Sequence, residues 1–204
     1  MSQMFWCPAA PVLTDEVRHI FSDLPPDERF YSEMRKGTRF KAILGFAFEA
    51  GAWRYEPDLT SVFSRNPGES LDPRFQDVLL SAARSVTDVL EMVLPFQIRD
   101  YRIGMNFIRV TCSCDTIGDN SPPFHRDGFK RSLHICVERK NISGGISIVS
   151  SDPRGEEVLY EDIILPGELI CFDDESLYHM ATGIIANYPD QPAYRDMIVV
   201  DMID

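Results

Sequence analysis

The chain holds four histidines, and two of them, with one aspartate, form a set that could bind a transition metal. His125 and Asp127 are separated by one residue in the stretch SPPFHRDGFKRSLHI, residues 121 to 135. Residues i and i+2 of an extended segment point to the same side, so this imidazole and this carboxylate can aim at one point. A third ligand must come from elsewhere, and His179 opens the segment YHMATGII. Two imidazoles and one carboxylate suit non-haem Fe(II) and leave three coordination positions open for reactants. Taken alone, H-x-D is a weak motif that arises often by chance, and a polar turn is the simpler reading. His19 reads as a helix-face residue, and the alternation of SLHICVE places His134 beside buried residues as a core histidine.

Arg195 changes that balance. In YRDMIVVDMI it heads a strand pattern whose alternation puts it on one face with Met197 and Val199. A cation on an apolar inward face is costly unless it meets a carboxylate. A dicarboxylate co-substrate held at the metal could supply that partner through bidentate pairing.

These residues need elements to position them. LTDEVRHIFSDL reads as a short helix capped by Thr14, with two acids in its first turn. RFKAILGFAFE and AWRYEP, separated by Gly51, read as strands. A long helix starts at Asp72-Pro73 and ends before Pro95. Phe75, Val78, Leu79, Ala82, Ala83, Val86, Val89, Leu90 and Val93 form one apolar stripe along it, about 30 Å long. From residue 98 onward, seven short β-branched segments alternate with turn signals such as Gly144-Gly145 and Pro166-Gly167. The expectation is one domain over residues 1–204. Within it, residues 1–97 hold helices and strands, and residues 98–204 form a β-barrel or jelly-roll core, an α+β layout.

Bulk properties narrow the function. A net charge of −12 repels phosphate backbones and anionic membrane surfaces, which argues against nucleic acid as a partner. The five cysteines have no C-x-x-C pair or regular framework and read as reduced thiols of a cytoplasmic protein. No apolar run approaches the ~20 residues of a membrane span, and the N-terminal MFWCPAAPVL lacks the basic start of a secretory signal.

The H-x-D pair, the distal histidine and the arginine in the following strand together resemble the Fe(II)/2-oxoglutarate-dependent dioxygenases. HRDGFKRSLHICVERKNISGGISIVS, then FDDESLYHMATGI, then YRDMIVVDM resemble the branch that contains bacterial free L-isoleucine hydroxylases. That branch reads H-x-D-G, an arginine with an N-x-x-G-G-x-S turn, D-x-x-x-x-H and R-D. The likeness spans residues 101 to 204. It implies a double-stranded β-helix (jelly-roll, cupin-like) with the N-terminal helices packed outside. It also implies iron on His125, Asp127 and His179, and the distal carboxylate of 2-oxoglutarate on Arg195. Arg139, Gly144, Gly145 and Ser147 match the turn motif. RKGTRFKAI, with Arg35, Gly37 and Arg39, resembles an N-terminal segment of the same branch, while Arg126 stands where glutamine is expected.

The implied activity is hydroxylation of a free L-amino acid or close derivative, consuming O2 and releasing succinate and CO2. Desaturation or cyclisation of a small metabolite needs the same groups, and a metal-binding cupin-like module needs no dicarboxylate anchor. A free amino acid requires a cation, an acid and a small apolar cavity, with Arg39, Arg54 and Arg109 as candidate cations. Asp173-Asp174-Glu175 reads as an acidic turn, in which Asp174 could orient the distal loop.

Overall fold

The computed structural model describes residues 3–27, 38–64, 73–118 and 123–204, with side chains for all of them except 73–75. In chain order the elements begin with β1 (Met4–Pro8), α1 (Asp15–Ile20), β2 (Arg39–Glu49), β3 (Ala52–Tyr55), α2 (Pro57–Ser64) and α3 (Pro73–Val93). They continue with β4 (Arg102–Thr111), β5 (Arg131–Lys140), β6 (Ile142–Gly144), β7 (Ser147–Ser150), β8 (Val158–Asp162) and β9 (Glu168–Phe172). The last three are β10 (Tyr178–Ala181), β11 (Ile184–Ala186) and β12 (Tyr194–Ile203).

A seven-stranded antiparallel sheet, ordered β1-β9-β5-β12-β4-β2-β3, forms the larger layer. A three-stranded sheet, β10-β7-β8, and the pair β11-β6 form the smaller one. This is the jelly-roll double-stranded β-helix that the sequence suggested. The N-terminal part adds strands to the main sheet: β1 pairs with β9, and the 11-residue β2 lies between β3 and β4. The segments before and after residue 97 therefore share one sheet.

Strand alternation divides the main sheet into two faces. Ala42, Leu44, Phe46, Ile103, Met105, Phe107, Leu133, Ile135, Ile198 and Val200 point to the back, where they pack against Leu79, Ala82, Ala83, Val86 and Leu90 of α3. The helix starts at Pro73 as expected, while Asp72 and the side chain of Phe75 lie outside the described residues. Its stripe is narrower than the periodicity implies, because Val78 is 51% exposed. In α1, Thr14 Oγ1 accepts a hydrogen bond from Val17 N as the cap requires.

Helix α2, not anticipated from the sequence, seats on the opposite face. Gly45 and Gly104 are cross-strand partners there. A Cβ on Gly45 would come within 2.5 Å of Leu59 Cβ, and one on Gly104 within 2.2 Å of Phe63 Cγ. The paired glycines remove two side chains from the sheet surface so that the helix can touch backbone, and Gly45 N donates to Thr60 Oγ1 at 2.9 Å. That contact carries Phe63 and Ser64 to the edge of a cavity. The five cysteines are free, and no helix among the described residues is long and apolar enough to cross a membrane.

Candidate metal centre and cavity

His125 and His179 face each other across a bridge between two extended segments. His125 N donates to His179 O at 3.1 Å, and His179 N donates to His125 O at 2.9 Å. This doubly bonded pair places the two rings side by side, with centroids 4.2 Å apart. Asp127, two residues on, points the same way: its Oδ2 lies 3.8 Å from His125 Nε2 and 3.7 Å from His179 Nε2. The three ligand atoms fall within 4.8 Å of one another. Those gaps exceed hydrogen-bond length, so contacts among the three do not account for their convergence, whereas a divalent ion between them would.

The surroundings orient each donor. Nδ1 of His125 lies 3.0 Å from Pro123 O, which directs Nε2 to the centre. Oδ1 of Asp174 stands 3.1 Å from Nδ1 of His179, off the N–H axis, an electrostatic contact rather than a formed hydrogen bond. Asp174 is fully buried. Its other oxygen accepts from Phe129 N at 3.0 Å, and Oδ1 is 3.4 Å from Asp127 N. Gly128, at φ +79, turns the chain so that this carboxylate can meet the amides on either side of it. Asp174 therefore ties the two ligand-bearing segments together, more than an acidic turn residue would. Burial, and then the neighbouring His179, pushes the His125 imidazole below its ordinary pKa, toward the neutral form that binds metal.

The centre opens into a cavity of about 520 Å³. Arg195 forms one end of it and is 2% exposed. Its Nη2 donates to Ser147 Oγ at 3.2 Å, and its Nε lies 3.1 Å from Met197 Sδ. No carboxylate among the described residues pairs with it. Burial pushes the guanidinium down to about 10, which still leaves it charged at neutral pH. The nearby Cys136 thiol is pushed up to about 11 by burial and so supplies no negative charge.

The other expected cations divide. Arg39 lines the cavity, and its Nε lies 3.2 Å from Oδ2 of the buried Asp27. Arg54 is exposed and belongs to a separate cleft with Trp53, Arg84 and Glu91. Arg109 sits on the back face, bound to Asp196 by two hydrogen bonds of 2.7 Å and stacked 4.1 Å from the Tyr194 ring centroid. Arg54 and Arg109 therefore do not reach the cavity, and the expectation of a second cation narrows to Arg39. Arg35 and Gly37 lie outside the described residues.

Arg126 lies at the cavity rim, its Nη1 donating to Glu175 O at 2.7 Å and its guanidinium stacked on Tyr178. His134 packs edge-on against the buried Phe172 as expected of a core histidine, and it also lines the cavity, with its ring centroid 5.4 Å from that of His179. Burial, and then His179, pushes its pKa well below the usual value.

Four further polar residues stand on the cavity wall that sequence reasoning missed: Asp27, Lys41, Asn106 and Asp201. Asp201 accepts from Ser132 Oγ at 2.7 Å and from Asn106 Nδ2 at 3.1 Å. A signal for it was present, because Asp201 shares the alternation of Arg195, Met197 and Val199.

Residues 69–201 match the family described as 2OG-Fe dioxygenase, and the chain belongs to it. Enzymes of this family use Fe(II) and 2-oxoglutarate, and the His-Asp-His set fits that pair in donor type and convergence. Curated protein sequences give no match. Among solved structures, a bsmA homolog from Methylobium petroleophilum PM1 superposes with a TM-score of 0.69 at 16% identity, covering 99% of this chain and 88% of that one. IDO from Bacillus thuringiensis gives 0.61 at 14% identity, covering 98% and 92%. The Fe(II)/α-ketoglutarate-dependent dioxygenase TqaL gives 0.61 at 11% identity, covering 99% and 83%. At these identities the likeness is one of fold.

Proposed function

We propose that this dioxygenase hydroxylates a free L-amino acid or a close derivative, with His125, Asp127 and His179 holding Fe(II) and Arg195 holding the far carboxylate of 2-oxoglutarate. The observation that carries the reading is a fully buried guanidinium with no carboxylate partner among the described residues, in the same cavity as two imidazoles and a carboxylate. Iron and 2-oxoglutarate, when bound, supply the oxidation, coupled to release of succinate and CO2. The chain's own residues bind, orient and exclude water. Ser147 sets the Arg195 fork toward the cavity, and Asp174 braces both ligand segments.

For the substrate, Arg39 offers a cation to a carboxylate, with Asp27 beside it as acceptor for an ammonium. Ile108, Phe63, Phe129 and Val199 provide the apolar wall. A cavity of about 520 Å³ is in the range of small-molecule sites. The sequence likeness to the free-isoleucine hydroxylase branch supports the same class.

The test is a succinate-release screen over free amino acids with Fe(II), ascorbate and 2-oxoglutarate, followed by product mass. A gain of one oxygen on an aliphatic L-amino acid is expected, lost when its carboxylate is amidated. Arg39→Ala should raise the substrate KM and leave 2-oxoglutarate binding unchanged. Loss of two hydrogens from the substrate would mean desaturation or cyclisation. Turnover of peptides alone, with Arg39 dispensable, would overturn the small-substrate reading.

A further inference from the structure

A second guanidinium stands beside Arg195, behind the cavity wall. Arg139 of β5 is its direct cross-strand partner on β12. Like charges opposite each other on neighbouring strands repel, and here one is fully buried and the other half-buried. Arg139 Nη2 donates to Gly144 O at 2.6 Å, while its Nη1 is buried without a hydrogen-bond partner. A buried donor left unmade costs about 1–3 kcal/mol. Burial also pushes the Arg139 guanidinium below its ordinary pKa, and Arg139 contributes to lowering Arg195.

Gly145 shows how close the two groups are. A Cβ there would lie 3.0 Å from Arg139 Nη1 and 3.3 Å from Arg195 Nη1. Both guanidiniums press on one bare stretch of backbone, and Gly144 and Gly145 hold it at φ +80 and +68. Arg195 meets the neutral Ser147 and Met197, and Arg139 meets a backbone carbonyl. Asp196, the residue after Arg195, is committed to Arg109 on the other face. Two crowded cations with no carboxylate paired to either among the described residues form a site that an entering anion would stabilise.

We propose that Arg139 is the second cation of the co-substrate anchor, a positioning residue that braces the Gly144–Gly145 turn and adds its charge to Arg195. It thereby tunes the site to 2-oxo acids bearing a second, distal carboxylate. This rests on the reading of Arg195 given above. A single guanidinium offsets one carboxylate but must itself be desolvated. A second positive charge nearby favours the doubly charged acid over a singly charged one of similar shape.

The experiment is calorimetric titration of anaerobic, Fe(II)-loaded protein with 2-oxoglutarate and with 2-oxobutyrate, which has the same chelating head and no distal carboxylate. Arg139→Gln keeps an N–H for Gly144 O and removes the charge. It should weaken 2-oxoglutarate roughly five- to fiftyfold and leave 2-oxobutyrate within about twofold of wild type. Arg139→Lys keeps the charge and should hold 2-oxoglutarate affinity near wild type, even where its Tm falls as far as that of the glutamine variant. Equal weakening of both acids, or none of either, overturns the proposal. Loss of 2-oxoglutarate affinity in Arg139→Lys as deep as in the glutamine variant also overturns it. Wild-type protein that binds both acids equally overturns the Arg195 reading and this proposal with it.

Discussion

Arg195 and Arg109 stand one rung apart on adjacent strands of the same sheet, and their surroundings are opposite. Arg109 pairs with Asp196 on the back face, caps the apolar core there and closes its own charge. Arg195 points into the cavity, more deeply buried, with a hydroxyl, a thioether and the Cys136 thiol for company. The same contrast extends over the two faces. The back carries leucines, isoleucines and alanines against α3, while the cavity side carries His134, Asn106, Lys41 and Asp201. A fold satisfies its own polar groups where it has no other use for them. A buried charge with no counter-ion among the described residues, as at Arg195, therefore marks where a ligand completes the structure.

The largest effect that would sharpen this contrast is at the metal centre. His125→Ala, Asp127→Ala and His179→Ala should each abolish Fe(II) binding and turnover while the Tm of the apo protein moves by a few degrees at most. Anaerobic Fe(II) titration checks it, and stoichiometric binding in all three variants would remove the metal assignment. Asp174→Asn, which keeps the size and one acceptor, should weaken the metal roughly 10- to 100-fold, as for other groups that orient a ligand.

Next in size is the arginine pair itself. Arg195→Ala should weaken 2-oxoglutarate roughly 10- to 150-fold, the value of a charged hydrogen bond, and Arg195→Lys should recover only a fraction because it cannot pair bidentately. Arg109→Ala should leave 2-oxoglutarate untouched and cost about 3 kcal/mol of stability, because Asp196 is left buried and unpaired. Binding isotherms and urea midpoints on both variants separate the two faces. An Arg109→Ala protein with weakened co-substrate binding and unchanged stability would break the comparison.

How much of this was legible in the chain follows from where each residue sits. His125, Asp127 and Arg195 could be placed because each lies in an extended segment, where alternation alone gives the side a residue takes. The same rule applied to β12 reaches Asp201. Arg109 was misplaced because choosing its face needs the register of β4 against β12, where Asp196 rather than Arg195 is its rung partner. Lys41 is hidden because β2 reads as one of two N-terminal strands and nothing local says that it borders β4; Asp27, before that strand, reaches the cavity only through its bond to Arg39 O. Helix α2 depends on two glycines far apart in the chain, Gly45 and Gly104, becoming neighbours. Local pattern carries orientation within a strand. It does not carry which strands meet.

The smallest effect concerns Asp201, the cavity face's counterpart of Asp196. Both carboxyls are raised by burial, Asp196 to about 6 beside Arg109 and Asp201 to about 7 with Ser132 and Asn106 as its donors. Lys41 offsets only a fraction of the Asp201 shift. A folded-state pKa above the unfolded value of about 3.9 means that the native protein holds a proton which the unfolded chain gives up first. Stability from this group is therefore complete below about pH 4 and is lost as pH rises toward 7. Asp201→Asn removes the titration while keeping the shape. For apo protein, the Tm of the variant minus that of wild type should grow by several degrees between pH 5 and pH 8, and level off above. The matching change at Asp196 should lower Tm at every pH above 6, because it deprives Arg109 of its counter-ion. A Tm difference for Asp201→Asn that stays flat across this range would mean that the Asp201 carboxylate is already compensated, and the cavity face would then be no more open in charge than the back.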